Sequence, residues 1–387
     1  MTSRRQRSIP AVYMRGGTSK GVFFCDQDLP PPGEERDRLL LRVIGSPDPY
    51  GKHTDGMGGA TSSTSKVVVA AKSTRPDSDV DYWFGAVSID APVIDWSGNC
   101  GNLTAAVGPF AIEAGLVHPP SEGIATLRLW QAGIARRIIA RVPVSGGSVV
   151  EDGDFTLDGV AFPAAEIGLE FLEPAAQAGV GDLFPTGRTA QLLEVPRVGT
   201  LSVTLINAGN PTIFVAAEAL GLKGMELQRD VNSNQALLTL VEELRAQGAM
   251  AMGLATTAEE ATQRRPHTPK VMYVAKAQAY TAADGRHVSA AAMDLTVRSF
   301  SMGLLHHAIP GTGAVAVAAA AAIPGTVVSQ IASAASDGRL RVGHPSGIVE
   351  VGADVSRIEN RWTLGKARLS RSARRLMEGR VYVPGPG

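Results

Sequence analysis

Apolar positions along this chain fall mostly in short runs bounded by Gly, Pro, Asp and Ser, the pattern of strands rather than of long helices. "AVYMRGG", "KGVFFCD", "DYWFGAVSID" and "APVIDWSG" read as strands in the first half. "ATLRLWQAGIARRIIARVPV" reads as a hairpin turning near Ala132 and Gly133, and "DFTLDGVAFP" as a further strand pair. In the second half "TLSVTLINAGNPTIFV", "KVMYVAKAQAY" and "AAMDLTVRSF" are strand-like. Helical spacing is rarer. "EERDRLLLRVIG" is amphipathic and stops at Gly45. "QALLTLVEELRAQGAMAMG" repeats its apolar positions every three to four residues, and "SRSARRLMEG" predicts a last helix near the C-terminal end.

Two other segments predict helices of a different kind. "CGNLTAAVGPFAIEAGL" puts Leu103, Ala106, Val107, Phe110 and Ala114 on one face, with Gly115 at the stop and Pro109 as an expected kink. "PGTGAVAVAAAAAIPG" is small and apolar all round, the mark of a buried helix. Each starts at a tight glycine turn, and Gly101 and Gly311 are 210 positions apart. This weak repeat implies two similar halves of roughly 190 residues, cut here as 1–185 and 186–387. "EPAAQAGVGDLFPTGRTA" lies between them as a linker region.

Composition narrows the class. The 387 residues are more than one ordinary core uses, which favours two domains. Basic and acidic residues number 37 each and no long basic run occurs, so neither nucleic acid nor a lipid surface is an expected partner. Aromatics at 5% argue against base stacking. Two cysteines, Cys25 and Cys100, are too few for a disulfide scaffold. The apolar stretch near the N-terminus is too short for a signal peptide, and Ala314–Ile323 is too short to span a bilayer. The expectation is a soluble cytoplasmic protein with reduced thiols. It leaves room for a homodimer.

Candidate chemistry starts at Cys100-Gly101-Asn102. A thiol at a helix N-terminus meets the positive dipole end and free N–H groups, which lower its pKa. The same N–H groups can hold a carboxylate. The alternative is a buried, inert cysteine. Gly209-Asn210-Pro211 joins two strands, either as a plain turn or as a site loop. Ser63-Thr64-Ser65-Lys66 fits S-x-x-K of Ser-Lys acyl enzymes, but no S-D-N or K-T-G companion occurs. "RGGTSKG" misses the phosphate-loop pattern. His306 and His307 are adjacent, which points them to different faces, and no third ligand clusters with them, so no metal is expected. Either could meet a carboxylate near the second buried helix. Arg298 and Lys20 have ordinary surface roles as their alternatives.

Three of these features, "CGN" opening a buried helix, "GNP" after a strand and "PGTGA" opening a second helix, resemble the diaminopimelate epimerase fold. That resemblance implies two similar mixed α/β domains. Each has a curved, mainly antiparallel sheet around a central helix, with the active site in the cleft between them. The epimerase pattern has a cysteine at both helix starts. Here the second is Pro310, so a two-thiol epimerase is excluded. "MRGGTSKGVFF", "GGATSSTSKVVV", "GNCGN" and "TGAVA", in that order over nearly the whole chain, resemble the narrower family of 2-methylaconitate cis-trans isomerases and 4-oxalomesaconate tautomerases or isomerases. The resemblance implies Lys66 and Cys100 as the acid/base pair. It implies substrate-binding roles for Arg15, Thr18, Ser19, Ser63, Gly101, Asn102, Asn210, His306, Gly311, Thr312 and Gly313. It also implies an allylic proton transfer on an unsaturated tricarboxylic acid with no metal or redox cofactor. A lysine desolvated by the valines behind it suits such chemistry. The favoured substrate is 4-oxalomesaconate, in bacterial breakdown of aromatic acids, with 2-methylaconitate as the alternative. A Ser-Lys hydrolase acting through Ser63, or a non-catalytic tricarboxylate-binding protein, are the readings of another class.

Overall fold

The computed structural model describes residues 6–173, 182–333 and 339–384. Part of the linker segment read in 173–190 lies outside the described residues. The apolar runs form 19 strands of one sheet, predominantly antiparallel. Its order repeats. In the first half Arg7–Gly16 pairs antiparallel with Ser19–Cys25, which runs parallel to Lys66–Lys72; that strand is antiparallel to Val80–Val87, which is parallel to Glu122–Gln131. In the second half the same alternation runs through Gly199–Ala208, Asn210–Ala216, Lys270–Lys276, Leu295–Ser301 and Arg339–His344. The hairpin expected near Ala132 is present, Glu122–Gln131 against Arg136–Ser145.

Among the described residues, strand pairing joins the halves in two places. Ile167–Leu172 pairs with Arg361–Arg371, joining the two sheet runs. The last strand, Ala373–Val383, pairs along its length with Arg7–Gly16, so the chain's end returns to the first half. This last element corrects the helix expected from "SRSARRLMEG". Local propensity there yields to a long-range partner: ten register pairs hold it extended. Two further strand expectations shrink. "DFTLDGVAFP" keeps one bridge, Phe155 to Ala164, and "APVIDWSG" keeps only Ile94–Asp95.

A central helix fills each half: Gly101–Glu113 and Gly311–Ala322. The first runs through Pro109 without interruption, is buried from Gly101 to Ile112, and ends before Gly115 in the left-handed region at φ 70°. Phe110 packs on Phe23 with ring centroids 5.4 Å apart. Full burial of such a side chain stabilises by ~1.5–3 kcal/mol. The small residues serve close approach, and the two helices meet start to start. A methyl group on Gly101 would lie 2.7 Å from Thr312 N, and one on Gly311 would lie 2.7 Å from the Gly101 carbonyl carbon. No helix among the described residues is long and apolar enough to cross a membrane.

Candidate active site

Lys66 is the first residue of Lys66–Lys72, and the following valines carry it into the core, where it is 5% exposed. Its Nζ donates to Ser19 Oγ at 3.1 Å and to Cys100 Sγ at 3.1 Å. It also lies 5.6 Å from the centre of the Phe84 ring. Cys100 is the N-cap of the first central helix, and its sulfur accepts the Leu103 N–H at 3.4 Å. Burial pushes this thiol up, but the Lys66 charge, the Leu103 N–H and the Lys66 and Ser19 hydrogen bonds outweigh it, leaving it below its ordinary value. Lys66 and Cys100 are thus in direct contact, both supplied by the first half.

The other candidate residues divide by what their side chains already do. Arg15, Thr18, Ser19 and Lys20 line a cavity of about 580 Å³, whose wall also includes His307, Arg374 and the carboxylates Glu151 and Asp152. That volume suits a small ligand. Ser19 links its wall to the Lys66–Cys100 pair. Asn102 sits inside the frame: Nδ2 donates to Thr18 Oγ1 at 2.9 Å and Oδ1 accepts from Arg371 Nε at 2.8 Å. Asn210 clasps the Asn99 backbone, accepting its N–H at 3.0 Å and donating to its carbonyl at 2.9 Å. Its side chain holds the turn before Cys100, which leaves it one amide hydrogen and one lone pair of Oδ1. Ser63 bonds Thr61 Oγ1 at 3.0 Å, while Lys66 bonds Ser19 and Cys100, so the Ser63–Lys66 contact a Ser-Lys hydrolase needs is not formed. Gly311, Thr312 and Gly313 open the second central helix. Thr312 is fully buried, and its hydroxyl finds no partner among the described residues.

His306 and His307 do not diverge as adjacency implied. Their rings stack with centroids 4.8 Å apart and 18° between planes. His306 Nδ1 accepts the Ala308 N–H at 3.0 Å. Burial first, then His307, Lys66 and Lys270, hold His306 well below the ordinary imidazole range, so it is neutral. Arg298 is buried, with its guanidinium over the Tyr280 ring and its Nε donating to Glu226 O, rather than on a surface.

Several residues around the pair were absent from the sequence reading. Arg371, 2% exposed, supports Asn102; burial, partly offset by the Cys100 charge, brings it down to about 10. Lys270 and His267 are buried and feel the Lys66 charge. Asp95 is the carboxylate buried near them, and it accepts from Ser97 and from the His267 N–H. Buried cations therefore outnumber buried carboxylates here, which favours an anionic ligand. One signal for Lys270 was in the chain: "KVMYVAK" repeats the form of "KVVVAAK" 204 positions on.

Comparison with known proteins fits this geometry. A "2-methyl-aconitate isomerase" of Cupriavidus necator is 58% identical over 395 residues, spanning 100% of this chain and 99% of its own. A "4-oxalomesaconate tautomerase" of Pseudomonas putida is 38% identical, over 98% of this chain and 97% of its own. The crystal structure of a methylitaconate-delta-isomerase superposes with a TM-score of 0.76 at 37% identity, covering 98% of this chain and 96% of that one. A hydroxyproline epimerase structure, 12% identical with a TM-score of 0.59 and coverage of 99% and 95%, shares the epimerase-like fold. The family model described as "PrpF protein" matches residues 6–384. The chain is an isomerase, and it belongs to the PrpF family.

Proposed function

We propose that this isomerase moves a proton within 2-methylaconitate, with Cys100 as the proton-transfer group and Lys66 as its partner. The chemistry rests on one observation, the 3.1 Å contact between Lys66 Nζ and Cys100 Sγ in a buried, cation-rich site. The substrate rests on similarity: 58% identity to a 2-methyl-aconitate isomerase against 38% to a 4-oxalomesaconate tautomerase, both over nearly the whole chain. That difference reverses the preference for 4-oxalomesaconate drawn from motifs alone. The motifs belong to the shared proton-transfer machinery and do not read the rest of the substrate.

In the proposed mechanism the thiolate of Cys100 takes an allylic proton. The C–H bond breaks, an S–H bond forms, and the electron pair enters a dienolate conjugated with a carboxylate. The Lys66 ammonium and the N–H groups at the two helix starts stabilise that charge. In the delocalised anion the original double bond has partial single-bond character and can rotate. Return of the proton to carbon breaks the S–H bond and restores the thiolate. Because Lys66 and Cys100 touch, they act from one side as a unit, not as two groups opposed across a cleft. The carboxylates are held at the helix starts and by Arg15, Thr18 and Ser19. The test is incubation of the protein in D2O with each tricarboxylate, followed by NMR. The reading predicts isomerisation of 2-methylaconitate with deuterium entering at the allylic carbon. Turnover of 4-oxalomesaconate in preference would overturn the substrate, and isomerisation retained by a Cys100→Ala variant would overturn the mechanism.

A further inference from the structure

The second half holds a buried cation that this mechanism does not use. Lys270 opens Lys270–Lys276 as Lys66 opens Lys66–Lys72. Both seven-residue strands start with lysine and bury their first five positions. Both run parallel to one neighbour and antiparallel to the other. Lys66 has the Cys100 sulfur beside it. Lys270, 2% exposed, instead donates to Ser301 Oγ at 2.7 Å and to His267 Nδ1 at 3.0 Å. His267 is held neutral, by burial first and then by the charges of Lys270 and Lys66. Among the described residues the ammonium has no hydrogen-bonded carboxylate, an arrangement that costs stability unless another anion compensates it.

The contacts lead from Lys270 to the thiol. With Lys270 protonated, His267 accepts at Nδ1 and carries its own proton on Nε2, which is 3.4 Å from the Asn99 carbonyl. Asn99 immediately precedes Cys100, and its carbonyl also accepts from Asn210. We propose that Lys270 is a positioning residue for Cys100: through His267 it holds the Asn99–Cys100 turn, and its buried charge is a second support for the thiolate beside Lys66. Burial, then the Lys66 charge, bring Lys270 down to about 7, while Asp95 and the Cys100 thiolate pull it back up and Arg245 lowers it. Among the described residues, the charged and titratable groups around the pair include Lys66, Tyr82, Asp95, Arg245, Arg265, His267, His306 and Arg371. Cationic support of the thiolate is full below the Lys270 value and fades as pH rises through it.

The inference rests on Cys100 being the reacting group, and its test needs no substrate. In a Cys25→Ser background Cys100 is the one thiol, and its thiolate can be titrated by ultraviolet absorbance and by the rate of iodoacetamide alkylation. Lys270→Met and Lys270→Gln are expected to move that titration up by about one pH unit and to lower kcat about tenfold, with KM near wild type. Lys270→Arg keeps the charge and is expected to restore the low titration. Lys270→Gln retains a donor for His267 and gives the reading if the methionine variant does not fold. An unmoved titration in Lys270→Gln, with only Tm reduced, would show a purely structural lysine and overturn the proposal. An unmoved titration with KM raised would make Lys270 a substrate contact and overturn it equally. A wild-type protein that turns over neither tricarboxylate would sink the proposed function yet leave the thiol measurement standing.

Discussion

The two central helices start in nearly the same way and end up with different chemistry. Gly101 and Gly311 press against each other, both helices are buried through their first turns, and a buried lysine opens the corresponding strand in each half. At the first helix the residue before the glycine is Cys100, and Lys66 contacts its sulfur. At the second it is Pro310, with no side-chain cap, and Lys270 turns to a histidine and a serine. The repeated fold copies a frame: a parallel strand pair, a lysine at its start and a helix end aimed at the junction. What the lysine does depends on its partner. Beside a sulfur it favours the thiolate, while beside a neutral imidazole it remains a buried charge whose own proton is loosened.

The largest expected effect breaks the asymmetry at its source. Cys100→Ser removes the one thiol in the site, and a serine hydroxyl does not ionise near neutral pH. The proposed mechanism expects kcat to fall by about a thousandfold or more, read by NMR of substrate isomerisation. Next comes Lys66→Met, with an expected loss of about a hundredfold. This variant also carries a pH signature. The proposed mechanism expects the wild-type kcat/KM to rise with pH through a thiol value below the ordinary one, since it takes thiolate as the active form and Lys66 favours thiolate. Without Lys66 burial dominates, so that limb must move to higher pH. A limb that stays in place would break the link between the two residues.

Smaller effects probe the frame. Gly101→Ala puts a methyl group 2.7 Å from Thr312 N and 2.8 Å from the Gly311 carbonyl carbon, both backbone atoms that cannot swing away. The expected cost is ~1–3 kcal/mol, measured from urea unfolding. Asn210→Ala removes two hydrogen bonds to the Asn99 backbone, and ~1–3 kcal/mol is expected in the same measurement. Ser63→Ala should be the mildest, changing kcat by less than about threefold, since its hydroxyl bonds Thr61 and not Lys66. A collapse of activity in that variant would revive a nucleophilic serine.

Much of the frame could be read in the chain. Short apolar runs became strands, Gly45 and Gly115 sit past the ends of helices with positive φ, and the two small-residue segments became helices buried over all but their last one or two residues. These are local rules of period and conformational freedom, so a one-dimensional pattern carries them. "SRSARRLMEG" was misread because its structure is set by a partner more than 350 positions away. Asn210 was placed in the site by its motif, but its side chain is committed to Asn99 across the two halves. Arg371 left no signal at all: one arginine among many becomes a buried support for Asn102 only once the far end of the chain returns.

By itself the sequence determined the residue types that can move a proton, the helix starts that can hold anions and the rough duplication that sets them in two halves. Only the tertiary structure decided that Lys66 and Cys100 touch instead of facing each other, that Ser63 stands apart from Lys66, and that Lys270 reaches the same buried neighbourhood. The reason is range. Propensity and periodicity act over a few residues. Burial, charge coupling and hydrogen bonding at this site also join distant residues, 34 positions apart for Lys66–Cys100 and 269 for Asn102–Arg371.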